Sequence, residues 1–137
     1  MEHTTEIKLV NLEDAMAARR GFIKPEDVHQ VVVKEAIVDT GASRLSLPRS
    51  LIQQLGLTPV GKAKSRTTNG VVERTIYSTV EFTVLGRRGA LEVTDLPDDV
   101  PVLVGHIVME LLDLCLDIKR GLIYNPAHDG EWIENQL

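Results

Sequence analysis

The chain has 137 residues, enough for one compact domain and too few for two domains of ordinary size. Hydrophobic residues make up 43% of the sequence and charged residues 26%, which excludes a disordered chain and indicates a soluble globular protein. The formal net charge of −5 argues against a surface built to bind phosphates, so we expect no nucleic acid partner.

The first third of the chain predicts strands that lead into a small polar loop. Apolar residues at 7, 9 and 12 indicate a short strand, and the alanine-rich stretch 13–21 is either a helical turn or a loop. Pro25 interrupts any helix there because it lacks a backbone N–H. Residues 28–38 are rich in β-branched side chains and predict one or two strands. They run directly into the small polar residues 39–43.

A short helix and a hairpin are predicted for the middle of the chain. Residues 48–55 favour a helix because their proline suits the first turn and a glycine follows directly. Asn69 and Gly70 then separate two extended segments, 62–66 and 71–85. Asn-Gly is the strongest short hairpin signal because both residues tolerate positive φ. We therefore expect a β-hairpin with its tip at Asn69-Gly70.

The last third consists of short apolar segments between turns. The expected strands are 90–96, 102–105, 114–118 and 122–124, with a candidate helix at 108–112 and turns at 86–89 and 119–121. Many short strands with closely spaced turns predict an all-β, barrel-like domain with one or two short helices. We expect this single domain to span residues 1–137, with 1–25 as an N-terminal extension or strand and 127–137 as a polar tail.

Nothing in the sequence indicates export, a membrane span or a metal. The first residues lack the basic and apolar segments of a signal peptide, and no apolar run approaches the roughly 20 residues of a membrane helix. We therefore expect a cytoplasmic protein with no membrane partner. Cys115, the one cysteine, is expected to be a buried small hydrophobe. The four histidines show no metal-ligand spacing, so neither a metal nor an organic cofactor is expected.

Asp39 is the strongest candidate for chemistry. It follows an apolar strand and precedes Thr40 and Gly41, which cannot continue that strand well. A carboxylate in such a position is held rigidly, Gly41 lets backbone N–H groups approach it, and Thr40 adds a hydroxyl that can tie the loop down. By spacing alone, an ordinary turn is the simpler interpretation of Asp-Thr-Gly.

The order of motifs around Asp39 resembles the retropepsin-like aspartic protease family. Ala-Ile-Val-Asp-Thr-Gly-Ala-Ser is followed by Leu-Ser-Leu-Pro, a short helix and Leu-Gly-Leu. Later, Val-Leu-Val-Gly at 102–105 is similar to the family's second motif, which packs beneath the catalytic loop, and Leu-Cys-Leu-Asp at 114–117 looks like its closing segment. The resemblance spans roughly residues 28–126. His106 and Ile107 stand where many members carry Arg and then Asp or Asn.

The resemblance implies an acid-protease-like closed β-barrel and assigns roles within it. The implied catalytic residues are Asp39, Thr40 and Gly41; the substrate-binding residues are Ala42 and Ser43, with Asn69, Gly70 and Val71 in a flap; and the supporting residues are Leu103, Val104 and Gly105. A plain β-hairpin explains Asn-Gly equally well, so the flap role depends on its order after Asp39.

The chemistry of aspartic proteases requires two carboxylates that share one proton. The chain has one Asp-Thr-Gly, so both carboxylates must be Asp39, one from each subunit of a symmetric dimer. We therefore expect a homodimeric aspartic endopeptidase that acts on a peptide or protein substrate.

Two alternatives remain open at the level of sequence. The first keeps the fold without catalysis, as a dimeric peptide-binding or assembly module, although an intact Asp-Thr-Gly argues against it. The second is an unrelated small β protein with a chance Asp-Thr-Gly. A stable monomer would favour the second, because a monomer cannot build the pair of carboxylates.

Overall fold

The computed structural model describes residues 3–124 and 133–135, which fold mainly as β-strands. In chain order the elements are β1 (His3–Asn11), α1 (Leu12–Arg19), a 3-10 turn (Pro25–Asp27), β2 (Gln30–Val38), β3 (Leu45–Pro48), α2 (Arg49–Gln54), β4 (Pro59–Thr67), β5 (Gly70–Val84), β6 (Arg87–Leu96), β7 (Leu103–Val104), α3 (His106–Leu111), β8 (Cys115–Asp117), β9 (Leu122–Tyr124) and β10 (Ile133–Asn135).

Six strands close into a barrel. The strands of the large sheet run in the order β1, β2, β7, β3, β6, β5 and β4, and β1 also pairs with β5. This second pairing closes a ring of six strands and leaves β4 outside it, paired with β5 alone among the described strands. The predicted all-β closed barrel is therefore confirmed.

The interior of the barrel is filled by alternating aliphatic side chains. In β1, Ile7 and Leu9 are fully buried whereas Lys8 between them is exposed. In β5, Val80, Phe82 and Val84 are fully buried in the same alternating way. Successive side chains of a strand point to opposite faces, so this period of two places one face of each strand in the core.

The two-residue strand β7 joins the strands on either side of the polar loop at 39–44. It runs parallel to β2, where Val104 pairs with Val38, and antiparallel to β3, where Val104 pairs with Leu45. Val104 is fully buried. Residues far apart in sequence thus meet where β2 ends, and this junction positions the loop that follows β2.

The described residues contain three α-helices, whereas one or two were expected. For residues 13–21 the sequence allowed either a helical turn or a loop, and most of this stretch forms α1. This helix buries none of its residues and begins at a side-chain cap, because Asn11 Oδ1 accepts a hydrogen bond from the Asp14 N–H at 3.1 Å. Asn11 Nδ2 also donates to the Leu55 carbonyl at 2.9 Å, which ties the start of α1 to the end of α2.

The turn between β5 and β6 differs in its boundary from the expectation. The turn predicted at 86–89 consists of Leu85 and Gly86, with φ of 52° and 78°, so β6 begins already at Arg87. A two-residue hairpin turn with both φ values positive matches the twist of its strands. Leucine rarely adopts positive φ, which is why the sequence pointed to the glycines instead.

A small second sheet is formed by β8, β9 and β10. The predicted hairpin of β8 and β9 is confirmed, and Cys115 in β8 is half-buried rather than fully buried. β10 pairs with β9 within the stretch 127–137 that was expected to be a polar tail. The other residues of that stretch lie outside the described part of the chain. Among the described residues, no helix is both long and apolar enough to cross a membrane.

Candidate active site

Asp39 stands directly after the last residue of β2, as predicted. Its backbone N–H donates to the carbonyl of Val104 at 3.0 Å, which continues the pairing of β2 with β7 by one residue. Asp39 is exposed to solvent, whereas the preceding Val38 is buried. The backbone of Asp39 is therefore anchored to the barrel while its carboxylate remains accessible to solvent.

The loop after Asp39 folds back on the carboxylate. The Gly41 N–H donates to Asp39 Oδ1 at 2.9 Å, and the Ala42 N–H donates to the Asp39 carbonyl at 3.1 Å. A Cβ at position 41 would lie 3.2 Å from Oδ1, tighter than most contacts of this kind. The expected approach of backbone N–H groups is thus present. The Thr40 hydroxyl, expected to tie the loop down, has no hydrogen-bond partner in the described part of the chain.

The second motif lies immediately against this loop. Three consecutive backbone N–H groups, at 105–107, donate to the carbonyls of residues 42–44 over 2.9–3.1 Å. A Cβ at Gly105 would lie 2.5 Å from the carbonyl oxygen of Arg44 and 2.5 Å from the carbonyl carbon of Ser43. The structure therefore brings Leu103, Val104 and Gly105 together with the Asp39 loop, and glycine at 105 allows the two backbones to meet.

The hairpin of β4 and β5 forms the other wall of a groove next to Asp39. Thr67 pairs with Gly70, the first residue of β5, so the predicted hairpin is confirmed, but its two turn residues are Thr68 and Asn69 and not the expected Asn69 and Gly70. Of the Asn-Gly pair, Gly70 alone has a positive φ, of 112°. The groove has a volume of about 570 Å³. Its walls are Asp39, residues 41–44 and Ser46 from the loop and β3, residues 63–66 of β4, Arg74 of β5, and residues of β6 and β7.

Some of the predicted site residues line the groove, and the others lie beside, beneath or beyond it. Asp39, Gly41, Ala42, Ser43 and Leu103 line the groove. Thr40 is exposed beside it, and Val104 and Gly105 are buried beneath the loop. The hairpin residues Asn69, Gly70 and Val71 lie beyond the groove, and Val71 is 61% exposed.

Asp95 is a groove residue that the sequence analysis did not identify. It is buried in β6, and it lines the groove. Asp95 Oδ2 accepts from Arg49 Nε at 3.0 Å, and Oδ1 accepts from the Thr75 N–H at 3.0 Å. Little in the sequence could have identified it, because β6 also carries the charged residues Arg87, Arg88 and Glu92, and a carboxylate is rarely buried unless it is paired.

Metal ligation and histidine chemistry find no support near the groove. Within residues 3–124 and 133–135, no three His, Cys, Asp or Glu side chains gather closely enough to hold a metal ion. His106 Nδ1 lies 3.3 Å from Glu110 Oε1 on the next turn of α3. The chemistry available at this site is that of an accessible carboxylate fixed by a backbone N–H.

A family model described as aspartyl protease matches residues 25–107, more than half of the chain. Among solved structures, the chain is similar to the simian foamy virus (mac) protease, with 19% sequence identity and a TM-score of 0.48 over 78% of this chain and 91% of that one. No curated protein matches the chain significantly. The family match includes both Asp39-Thr40-Gly41 and Gly105. The chain therefore belongs to the aspartyl protease family.

Proposed function

We propose that the protein is a homodimeric aspartic endopeptidase in which Asp39 of each subunit supplies one carboxylate of the catalytic pair. The observation that carries this proposal is the geometry of Asp39, whose accessible carboxylate is held by the Gly41 N–H at the side of a groove. One subunit offers one such carboxylate, and the reaction needs two, so a second subunit must complete the site.

The proposed reaction follows from two carboxylates that share one proton. The ionised Asp39 takes a proton from a water molecule, whose oxygen attacks the peptide carbonyl carbon. The protonated Asp39 of the other subunit donates its proton to the carbonyl oxygen, which gives a neutral tetrahedral intermediate. Collapse of that intermediate breaks the C–N bond, and the amine leaves with a proton returned by the pair of carboxylates.

The groove suits an extended peptide. Within the described part of the chain, β4 is an edge strand that pairs with β5 alone, so its other edge offers backbone groups with which a peptide strand can pair. Ala42 and Ser43 border the same groove. Asn69, Gly70 and Val71 lie beyond it in this structure, and we propose that hairpin closure brings them over the bound peptide and excludes water.

The proposal is tested with the Asp39→Asn variant, first alone and then mixed with the wild type. Asp39→Asn is nearly isosteric, so it should keep the sedimentation coefficient of the wild type and lose cleavage of a diverse peptide library. Asp27→Asn, in the 3-10 turn outside the groove, is the matched control and should cleave as the wild type does.

Mixing the two proteins tests the dimer directly. Excess Asp39→Asn should suppress wild-type turnover, because hybrid dimers retain only one carboxylate, and dilution should lower specific activity as dimers dissociate. Full activity of the Asp39→Asn variant, or specific activity that dilution and mixing leave unchanged, would contradict the proposal. A wild-type dimer that binds peptides without cleaving them would favour the peptide-binding module instead.

A further inference from the structure

The groove next to Asp39 is more basic than the protein that contains it. Four basic residues line it, Arg44, Lys64, Arg66 and Arg74, against two acidic residues, Asp39 and Asp95. The whole chain, by contrast, has a net charge of −5. A local excess of positive charge in a cleft attracts ligands of the opposite sign.

The basic residues of the groove are not paired with acidic side chains of the residues that the structure describes. The carboxylate of Asp95 is already paired with Arg49, at 3.0 Å. In the part of the chain that the structure describes, none of the four groove cations forms an ion pair. Glu73, which lies opposite Lys64 in the hairpin, is engaged by Lys62 at 3.2 Å. The unpaired cations therefore have Asp39 as the one unpaired acidic neighbour in the groove.

Two of the four cations belong to the walls of the groove rather than to its rim. Arg74 lies opposite Ala63 in the hairpin, on the face that also carries Ser65, and it is half-buried. Arg44, in the loop after Asp39, is half-buried as well. Lys64 and Arg66 alternate with Ala63 and Ser65 along β4. They are exposed, which places them at the rim of the groove. A partly desolvated guanidinium is most stable beside a carboxylate, which it binds through two parallel hydrogen bonds.

We infer that the groove selects acidic peptides, with Arg44 and Arg74 receiving Asp or Glu side chains near the scissile bond. The inference that such segments are also cut rests on the proposed function, whereas their binding does not. Single-stranded nucleic acid fits less well, because no aromatic side chain is among the described groove residues, and bases bind single-strand proteins by stacking on such side chains. The free edge of β4, by contrast, can pair with a peptide backbone.

Binding is tested in the Asp39→Asn protein, so that no peptide is consumed. Three fluorescent peptides have the same length and sequence and differ only in carrying Glu, Gln or Lys at the varied positions. Anisotropy titrations should show the Glu peptide binding about tenfold more tightly than the Gln peptide, as expected for hydrogen bonds to a charged partner, and the Lys peptide should bind most weakly. Added salt should narrow these differences.

Charge variants identify the residues responsible. Arg44→Gln with Arg74→Gln, in the same background, should remove the preference for Glu over Gln. Arg88→Gln is the matched control, because it removes one positive charge from an exposed position of β6 outside the groove, and it should leave the preference intact. Equal binding of the Glu and Gln peptides, or a preference that survives the double variant, would overturn the inference. Displacement of the Glu peptide by oligothymidylate more readily than by unlabelled Glu peptide would also overturn it.

Turnover of the same peptides by the wild type separates this inference from the proposed function. Cleavage without any charge preference would leave the endopeptidase proposal in place and refute acidic selection. Preferential binding of the Glu peptide without cleavage would support acidic selection and refute the endopeptidase proposal.

Discussion

The carboxylate of Asp95 accepts a hydrogen bond from the backbone N–H of Thr75, 3.0 Å away, at the point where β5 separates from β6. The pairing of these strands ends with Ile76 opposite Thr94, so the side chain of Asp95 takes the place of the next backbone acceptor. Its other oxygen accepts from Arg49 at the start of α2. Asp95 thereby attaches the base of the β4–β5 hairpin to the barrel.

Replacing Asp95 should loosen this attachment. Asp95→Ala leaves the Thr75 N–H without its acceptor, and we expect the free energy of unfolding to fall by about 1–3 kcal/mol. The KM for peptides should rise more than kcat falls, because the hairpin forms one wall of the groove. Asp95→Asn is the control, since its amide oxygen still accepts from Thr75. Urea unfolding curves and peptide kinetics that do not distinguish the alanine variant from the wild type would refute this role.

Gly105 should tolerate no side chain. In Gly105→Ala the new Cβ would stand 2.5 Å from the backbone of residues 43 and 44, so the loop that carries Asp39 must move. We expect a loss of about 1–3 kcal/mol in stability, typical of overpacking, together with a loss of turnover. Gly61→Ala is the matched control, because its Cβ would meet nothing within 4 Å. Equal thermal midpoints of the two variants would show that residues 43 and 44 accommodate the methyl group.

Gly70 tests the contribution of the hairpin tip. Its φ of 112° is strained for any other residue, so Gly70→Val should destabilise the turn by about 1–3 kcal/mol. Gly86→Val imposes a similar strain, at φ 78°, in the turn between β5 and β6, which is outside the groove. At matched stability, Gly70→Val should lower kcat/KM and Gly86→Val should not. If both variants turn over peptides equally, the tip has no role as a flap.

Asp117 should make the β8–β9 hairpin sensitive to acid. Hydrogen bonds from the backbone N–H and the guanidinium of Arg120, at 3.1 and 2.8 Å, lower the pKa of Asp117 below its ordinary value. A lowered pKa in the folded state contributes stability above the ordinary carboxyl pKa, and this contribution is lost as pH falls through the lower, folded value.

This prediction is tested at individual residues of the β8–β9 hairpin. An NMR titration should place the pKa of Asp117 below the ordinary value of an aspartate, and amide exchange at Gly121, whose N–H donates to the Asp117 carbonyl, should accelerate in the same acidic range. In Asp117→Asn the acid-dependent part of that acceleration should disappear. An unshifted titration of Asp117 would contradict the hydrogen bonding described for this turn.

Local signals were sufficient for much of the fold and for the position of Asp39. The Asn-Gly pair at 69–70 predicted the hairpin because turn chemistry depends on two adjacent residues. The apolar strand before Asp39 and the small residues after it likewise predicted a carboxylate fixed at a strand end. The resemblance to aspartic proteases built on these motifs is confirmed by the family match over 25–107.

Features that depend on tertiary contacts could not be predicted from local signals in the sequence. Asp95 becomes the partner of Arg49 because β3 and β6 run in parallel, a pairing of residues more than forty positions apart that no local pattern announces. Helix α1 buries no apolar face, so its periodicity is uninformative, and it begins at Asn11, which also binds the distant Leu55 carbonyl. The positive φ of Leu85 is likewise set by the two strands it connects.

The insertion of β7 between β2 and β3 has a consequence for how the chain folds. Those two strands are separated in the sheet by Leu103 and Val104, which follow them by more than fifty residues. The ring cannot close until these residues arrive, although β1, β2, β5 and β6 can already pair. The long chain segments between these strands must therefore lose conformational entropy before the contacts of β7 with β2 and β3 compensate for that loss. This order of events slows folding. On the ribosome, the Asp39 loop acquires its support only after Gly105 has emerged, so the Asp39 carboxylate is among the last parts of the barrel to be fixed in place.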